Sequence, residues 1–152
     1  MSSETQLEQL SQQLWQINTA AYGGTSPWTV TEFYSDLQQK HSHYLLEEKS
    51  ALIAFLGFHQ VLDEIEITNI ATLPAYKRQG VAEKMFKRLF EYALQEKVEQ
   101  IFLEVRASNL AARRLYEKMH FEVIGERKHY YHSPVEDAII MKWKAGSTYG
   151  NE

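Results

Sequence analysis

The sequence predicts a mixed α/β fold, in which a central sheet carries helices on both faces. Two observations predict it. Between residues 43 and 72, short turns separate three consecutive segments rich in β-branched and aromatic residues, a pattern typical of antiparallel strands. After residue 80, helix and strand patterns alternate before two closing strands, which implies a mixed sheet. The 152 residues fit one domain, at residues 1–144, and we expect the small polar tail 145–152 to be disordered.

Two helices are predicted at the start of the chain. The first is amphipathic and ends near Tyr22, before the Gly23-Gly24 pair. Its apolar residues recur at three- and four-residue steps: Leu7, Leu10, Leu14 and Ile17. Thr29 can cap a second, short helix, because Glu32 three residues later completes a capping box.

Three antiparallel strands follow, and Pro74 ends their run. Their predicted spans are His43–Glu47, Ala51–Val61 and Glu64–Thr72. The helix that begins after Gly80 has a wide apolar face, which makes it the clearest helix in the chain. Two rows of residues at four-residue steps form that face: Val81, Met85, Leu89 and Ala93, and Ala82, Phe86, Phe90 and Leu94.

The remaining elements alternate. A strand is predicted at Gln100–Arg106, and either Ser108 or Asn109 caps the next helix. The buried face of that helix is expected to carry Ala111, Leu115 and Met119. Two closing strands lie on either side of a polar loop at Ser133-Pro134, and their predicted spans are Phe121–Gly125 and Asp137–Trp143.

Composition excludes several classes of protein. A formal net charge of −4 provides no basic face for nucleic acid. The absence of cysteine excludes disulfides, zinc–thiolate sites and cysteine nucleophiles, and the six histidines lack zinc-ligand spacing, so no metal is expected. The N-terminus shows no secretory signal, and the longest apolar stretch, Ala51–Phe58, is too short to cross a bilayer. We therefore expect a cytoplasmic protein that does not associate with membranes.

The segment Asn69–Glu83 carries the clearest chemical signal, because a strand there runs into a short loop that opens a helix at Gly80. Backbone N–H groups at a helix N-terminus favour an anion, and glycine lets the backbone approach it closely. Lys77 and Arg78 add positive charge. The alternative is that Gly80 is only a turn residue and the basic pair is solvated. Neither a Gly-x-Gly-x-x-Gly motif nor a P-loop is present, so a pyrophosphate ligand of another kind stays open.

Two segments resemble the GNAT superfamily of N-acetyltransferases. Arg78-Gln-Gly-Val-Ala82 resembles its pyrophosphate loop. Leu103-Glu-Val-Arg-Ala-Ser-Asn-Leu-Ala-Ala-Arg-Arg-Leu-Tyr116, followed by Phe121, resembles the second half of its motif set. Within the superfamily, the Leu-Glu-Val-Arg-Ala-Ser-Asn segment and Glu136–Met141 are most similar to the RimI-type ribosomal-protein alanine N-acetyltransferases.

The resemblance implies a fold and a reaction. The fold is GNAT-like, with a mostly antiparallel sheet and one splayed strand pair. The reaction uses acetyl-CoA as co-substrate and acetylates the N-terminal alanine of a small-subunit ribosomal protein by direct transfer in a ternary complex.

The resemblance also implies which residues bind the co-substrate. Backbone groups of one strand end would hold the pantetheine arm and the acetyl group, and an N–H there would stabilise the oxyanion: Ile70, Ala71 and Thr72. The pyrophosphate would be wrapped by Arg78, Gln79, Gly80, Val81, Ala82 and Glu83. The side chain of Asn109 would hydrogen-bond the co-substrate, a role compatible with helix capping.

Glu104 and Tyr116 are the candidate catalytic residues. Burial of Glu104 on the face opposite the apolar row would raise its pKa and help it take a proton from an ammonium. The alternative is a salt bridge with Arg106 or another cation. Tyr116 falls seven residues after Asn109, on the same helix face, so its phenol could protonate the departing thiolate. The alternative is an ordinary buried tyrosine.

Some positions depart from the family or lie outside its core motif. Lys77 stands where arginine or glutamine is usual, and His120 stands where glycine commonly precedes Phe121, so we expect a local backbone cost at His120. The Tyr130-Tyr131 pair, in the predicted late loop, could line an acceptor groove or pack against the final strands.

Other functions stay open at this point. The acceptor could be a small amine or a lysine side chain instead of an N-terminus, and a non-catalytic acyl-CoA-binding module is the alternative outside enzymes. At neutral pH roughly a tenth of an α-amine is deprotonated, against under a thousandth of a lysine amine. An N-terminal acceptor therefore depends less on a catalytic base to remove its proton. The sequence does not fix the oligomeric state, and a monomer is compatible with it.

Overall fold

Helices and strands follow one another in the predicted order in the computed structural model, which describes residues 2–132 and 134–146. The helices are α1 (Ser3–Ala21), α2 (Val30–Leu37), α3 (Val81–Gln95) and α4 (Leu110–Lys118). The strands are β1 (Ser42–Lys49), β2 (Ala51–Val61), β3 (Glu64–Thr72), β4 (Gln100–Arg106), β5 (Glu122–Tyr131) and β6 (Glu136–Lys144). A short 3-10 turn, Pro74–Tyr76, follows β3.

The described strands form one six-stranded sheet in the order β1-β2-β3-β4-β6-β5. The pairs β1/β2, β4/β6 and β5/β6 are antiparallel, and β3/β4 is parallel, so the predicted mixed and mostly antiparallel sheet is confirmed. The parallel register joins only Glu64–Glu66 to Gln100–Phe102, although both strands continue beyond it.

The chain divides into two compact units, and the first comprises residues 1–59 and 68–88. Its core contains Leu14 and Ile17 of α1, which pack with Phe33, Phe55 and Ala71. The second helix begins at the predicted cap. The Ser2 hydroxyl caps α1 by accepting from the N–H of Thr5, and Thr29 and Glu32 form the expected capping box at α2.

The second unit comprises residues 60–67 and 89–152. Among its described residues, aromatic side chains and the apolar side chains of β4 are buried. Phe90 stacks on Trp143 with their ring centroids 4.7 Å apart. The alternation predicted for β4 is confirmed, because its apolar row is buried: Ile101, Leu103 and Val105. Asn109 is the cap of α4, and the left-handed backbone expected at His120, with φ of 72°, is present.

Three predictions of element length or burial are wrong. β5 runs to Tyr131 instead of ending at Gly125, because its pairing with β6 continues through Arg127↔Ala138 to Tyr131↔Glu136. Tyr130 and Tyr131 therefore belong to a strand and not to a late loop. Leu94 and Ala111 are exposed. A row of four-residue steps rotates by about 40° per step around a helix, so an end member can leave the buried face, as Leu94 does at the end of its row and Ala111 at the start of its own.

The predicted loop at Ser133-Pro134 is only partly described, because Ser133 lies outside the described residues. Of the tail predicted to be disordered, Ala145 and Gly146 form a turn, and residues 147–152 lie outside the described part of the chain.

Candidate active site

The three residues predicted to hold the pantetheine arm form the C-terminal end of β3. Ile70 is half-buried, and Ala71 and Thr72 are buried. The Tyr22 hydroxyl donates to the carbonyl of Ile70 at 3.3 Å, so α1 contacts this strand end. The next N–H, that of Leu73, donates to a β2 carbonyl and keeps the strand end aligned with its neighbour.

The loop between β3 and α3 is exposed and contains two left-handed residues, Arg78 at φ 64° and Gly80 at φ 79°. Left-handed residues close together in a loop turn successive N–H groups toward one side, which makes an anion-binding concavity. A Cβ built on Gly80 would meet no heavy atom within 4 Å, so open space lies beside the backbone there. The loop therefore has room for a group that must approach its N–H donors closely.

The first turn of α3 presents donors at the same loop. The first intrahelical bond runs from the N–H of Lys84 to the carbonyl of Gly80, at 3.0 Å. The N–H groups of residues 81 and 82 precede that bond, so the helix itself supplies no carbonyl to accept them. Together with the partial positive charge of a helix N-terminus, they favour an anion. The structure thus brings together the residues predicted to wrap a pyrophosphate.

The same helix is anchored to β1 by an ion-pair cluster that the sequence did not reveal. Glu47 lies 2.6 Å from an Arg88 nitrogen and 3.2 Å from Lys84 Nζ, and Arg88 also donates to the carbonyl of Leu46. Burial alone would raise the pKa of Glu47, but the hydrogen bonds from Arg88 and Lys84 outweigh it and hold the pKa below its usual value. The cluster fixes the start of α3, on which the N–H donors lie.

Glu104, the predicted base, lies in the middle of β4 opposite Ile140 of β6. Its side chain is 20% exposed, so the carboxylate is only partly buried. Its Oε2 atom lies 2.8 Å from Nε of Arg127, on β5. The salt bridge raised as the alternative for Glu104 is therefore present, although its partner is Arg127 and not Arg106.

Arg106 has a different partner. It contacts a Glu136 carboxylate oxygen at 3.3 Å, and its guanidinium lies 4.4 Å from the centre of the Tyr131 ring. The backbone N–H of Ser108 donates to the other oxygen of Glu136. The side chain and then the backbone of Ser108 lower the pKa of Glu136, burial opposes them, and the contact with Arg106 adds a smaller lowering. The turn into α4 is thus tied to β6.

Asn109 and Tyr116 both lie on α4. The Oδ1 atom of Asn109 accepts a hydrogen bond from the N–H of Ala112 at 3.2 Å. Capping therefore uses the side-chain oxygen, and the side-chain NH2 group is the donor that could bind an acceptor atom of a co-substrate. Tyr116 is 7% exposed, and its ring lies 6.2 Å from that of Phe121. The structure places Asn109 at the start of the predicted helix, as its cap, and Tyr116 within it.

A buried cluster around Asp36 was also missed by the sequence. Asp36 accepts hydrogen bonds from Ser42 at 2.8 Å and from the Tyr44 hydroxyl at 2.6 Å, and its Oδ1 lies 2.7 Å from Nε2 of His59. Burial, and then the hydrogen bond and charge of Asp36, raise the pKa of the Tyr44 phenol. The members of this cluster come from α2, β1 and β2, so no short sequence motif could have predicted it.

Within residues 2–132 and 134–146, no three His, Cys, Asp or Glu side chains are grouped so that they could hold a metal ion. Among the helices of the described chain, none has the length and apolar character that crossing a membrane requires.

Comparison with known proteins places this chain in a family. Residues 7–121 match the model of the Acetyltransferase (GNAT) family. The chain belongs to the GNAT acetyltransferase family. GNAT acetyltransferases use acetyl-CoA, a thioester whose pyrophosphate is the kind of anion that the loop before α3 favours.

Two relatives and one solved structure are similar to this chain over most of its length. The [ribosomal protein bS18]-alanine N-acetyltransferase of Escherichia coli (strain K12) is 37% identical over 117 residues, which are 76% of this chain and 79% of that protein. The enzyme of the same name from Haemophilus ducreyi is 33% identical over 141 residues, covering 91% of this chain and 96% of the relative. The crystal structure of the Escherichia coli ribosomal-protein-S18-alanine N-acetyltransferase superposes with a TM-score of 0.81 at 33% identity, covering 88% of this chain and 86% of that chain.

Proposed function

We propose that this GNAT protein is an acetyl-CoA-dependent N-acetyltransferase that acetylates the N-terminal alanine of ribosomal protein bS18. The observation that carries the proposal is its identity of 33% to an enzyme of that name over 91% of the chain. The proposal places the reaction in the cytoplasm and makes a protein N-terminus the acceptor.

The residues around α3 would bind acetyl-CoA. The N–H donors of Gly80–Glu83 and the charge of Arg78 suit the pyrophosphate, and the open space beside Gly80 lets the phosphates reach those donors. Backbone groups of Ile70–Thr72 would hold the pantetheine arm, and the amide nitrogen of Asn109 would donate to the co-substrate. Acetyl-CoA supplies the activated acetyl thioester.

Glu104 and Tyr116 would move the protons. Glu104 takes one proton from the acceptor ammonium, and the freed amine nitrogen forms a bond to the acetyl carbonyl carbon. The carbon–sulfur bond then breaks, and the departing thiolate takes a proton from the Tyr116 phenol. The nitrogen loses its second proton, which restores the phenol, and the proton on Glu104 passes to solvent. The amide product forms without a covalent enzyme intermediate, in keeping with a chain that contains no cysteine.

An N-terminal acceptor also fits the modest burial of the base. An α-amine has a pKa near 7.7–8.0, and a lysine amine near 10.4, so roughly two hundred to four hundred times more of the α-amine is deprotonated at neutral pH. A carboxylate that is 20% exposed and ion-paired is better matched to the less basic amine.

A panel of acceptors tests this proposal. Thiol release from acetyl-CoA would be followed with a peptide copying an alanine-starting bS18 N-terminus, the same peptide already acetylated at its α-amine, free lysine and a polyamine. We expect release with the unblocked peptide alone. Release with lysine or polyamine alone would overturn the proposed acceptor, and coenzyme A binding without release on any amine would favour an acyl-CoA-binding module.

A further inference from the structure

The ion pair between Glu104 and Arg127 spans three strands of the sheet. Glu104 of β4 lies opposite Ile140 of β6, and Arg127 of β5 lies opposite Ala138 of β6. Because Ile140 and Ala138 are two residues apart, all four side chains share one face of the sheet. Ala138 is small, so the long Arg127 side chain can cross β6 and reach Oε2 of Glu104 at 2.8 Å.

A second contact supports the guanidinium. The guanidinium carbon of Arg127 lies 5.2 Å from the centre of the Tyr130 ring, within the range of a cation–π interaction. In a regular strand, residues three apart point to opposite faces. The register of β5 shifts between Arg127 and Tyr131, and His129 within that shift has a φ of 53°. A bulge of this kind re-aims side chains, which explains how Tyr130 reaches the face of Arg127.

Stability does not account for this arrangement. Arg127 is 57% exposed, and ion pairs with so much contact to solvent contribute little to the free energy of folding. The contact does restrict Glu104, whose carboxylate would otherwise sample several rotamers. A proton acceptor works only when it is held within hydrogen-bond reach of the proton that it takes.

We propose that Arg127 is a positioning residue for the proton acceptor Glu104. The guanidinium holds Oε2, Tyr130 holds the guanidinium, and Oε1 of Glu104 is the oxygen that takes the proton from the acceptor amine. This inference rests on the proposed function, since it assumes that Glu104 is the base. It assigns Arg127 no contact with either substrate.

A double-mutant cycle separates positioning from a general structural role. Arg127→Met, Glu104→Gln and the double variant would be compared with the wild type, on whichever amine of the acceptor panel the wild type acetylates. We expect Arg127→Met to lower kcat by about tenfold, a part of the roughly 10²–10⁴ that a positioned base contributes. KM for acetyl-CoA should change by less than about twofold, because the ion pair contains none of the residues that would bind it. In the Glu104→Gln background, the same arginine change should have almost no effect.

Two controls sharpen the cycle. Arg106→Met removes an arginine with the same kinds of contact, an ion pair with Glu136 and a ring contact with Tyr131, but none with Glu104. We expect it to leave kcat near the wild-type value. Arg127→Lys retains the charge and should recover part of the lost kcat. Thermal melting of each variant verifies that it is folded.

The outcomes distinguish the two proposals. Equal losses from Arg127→Met in both backgrounds, or no loss in the wild-type background, would overturn the positioning role and leave Glu104 as the base. Full activity of Glu104→Gln would overturn the base and the positioning role together. The same applies if the wild type acetylates no amine of the panel.

Discussion

Replacing Gly80 with alanine tests the anion-binding loop directly. Gly80 has a φ of 79°, a left-handed conformation that costs an L-residue about 1–2 kcal/mol. A Cβ at this position meets no heavy atom within 4 Å, so the free protein should suffer backbone strain without a steric clash. For a chain of this size, about 1 kcal/mol corresponds to a Tm lower by roughly 2–4 °C.

The effect on ligand binding should be larger than the effect on folding. The added methyl group would occupy the open space through which phosphates approach the N–H donors of α3, so we expect the Kd for coenzyme A to rise by at least about tenfold, or about 1.4 kcal/mol. Isothermal titration calorimetry measures that change, and differential scanning fluorimetry measures the Tm.

Gly23 provides a matched control. Its φ is 74°, and a Cβ built on it also meets no heavy atom within 4 Å. Gly23→Ala should therefore lower the Tm by a similar amount and leave the Kd for coenzyme A unchanged. Coenzyme A binding that is unaffected by Gly80→Ala, or weakened equally by both substitutions, would refute the assignment of the loop.

Three further predictions concern the hydrogen bonds of Asp36, the ion pairs of Glu47 and the proposed proton donor Tyr116. Asp36→Ala should lower the free energy of unfolding in urea by about 3 kcal/mol, because it removes the acceptor of three part-buried hydrogen bonds worth about 1 kcal/mol each, and an unchanged midpoint would contradict this interpretation of the cluster. Glu47 has a lowered folded-state pKa, so its stabilisation is present above its unfolded pKa of about 4.3 and is lost as the pH falls through the folded value. Glu47→Gln should consequently be less stable than the wild type at pH 7, and the difference should disappear as the pH falls below the folded-state pKa of Glu47. A difference that persists after Glu47 is protonated would argue against the ion pair as its source. Tyr116→Phe retains the ring packing, so it should lower kcat by about tenfold or more and leave coenzyme A affinity unchanged in calorimetry; unaltered kcat would make Tyr116 a packing residue.

The sequence predicted those parts of the fold that local rules determine. The bounds of β2, β3 and β4 match the predicted spans, since each is a run of β-branched and aromatic residues between turns. The capping box at Thr29 was also predictable, because its two partners are three residues apart. The loop before α3 could be found for the same reason: its donors are consecutive in the chain.

Contacts between distant segments could not be predicted in this way. The partner of Glu104 depends on the strand order β4-β6-β5, which brings Arg127 to it across a strand that comes later in the sequence. The length of β5 was missed because an exposed edge strand has no buried row, and its polar residues resemble a loop. The Asp36 cluster likewise unites three elements through side chains, so nothing in the local pattern of any one of them indicated it.

The most direct test of the central proposal is to locate the transferred acetyl group. The protein would be incubated with acetyl-CoA and an alanine-starting bS18 peptide that also contains a lysine, and fragmentation mass spectrometry would identify the acetylated nitrogen. We predict acetylation of the alanine α-amine, with an equal amount of free thiol, and a rate at least about a hundredfold lower for Glu104→Gln. Acetyl groups on the lysine side chain, or a peptide that stays unmodified while coenzyme A binds, would contradict the account.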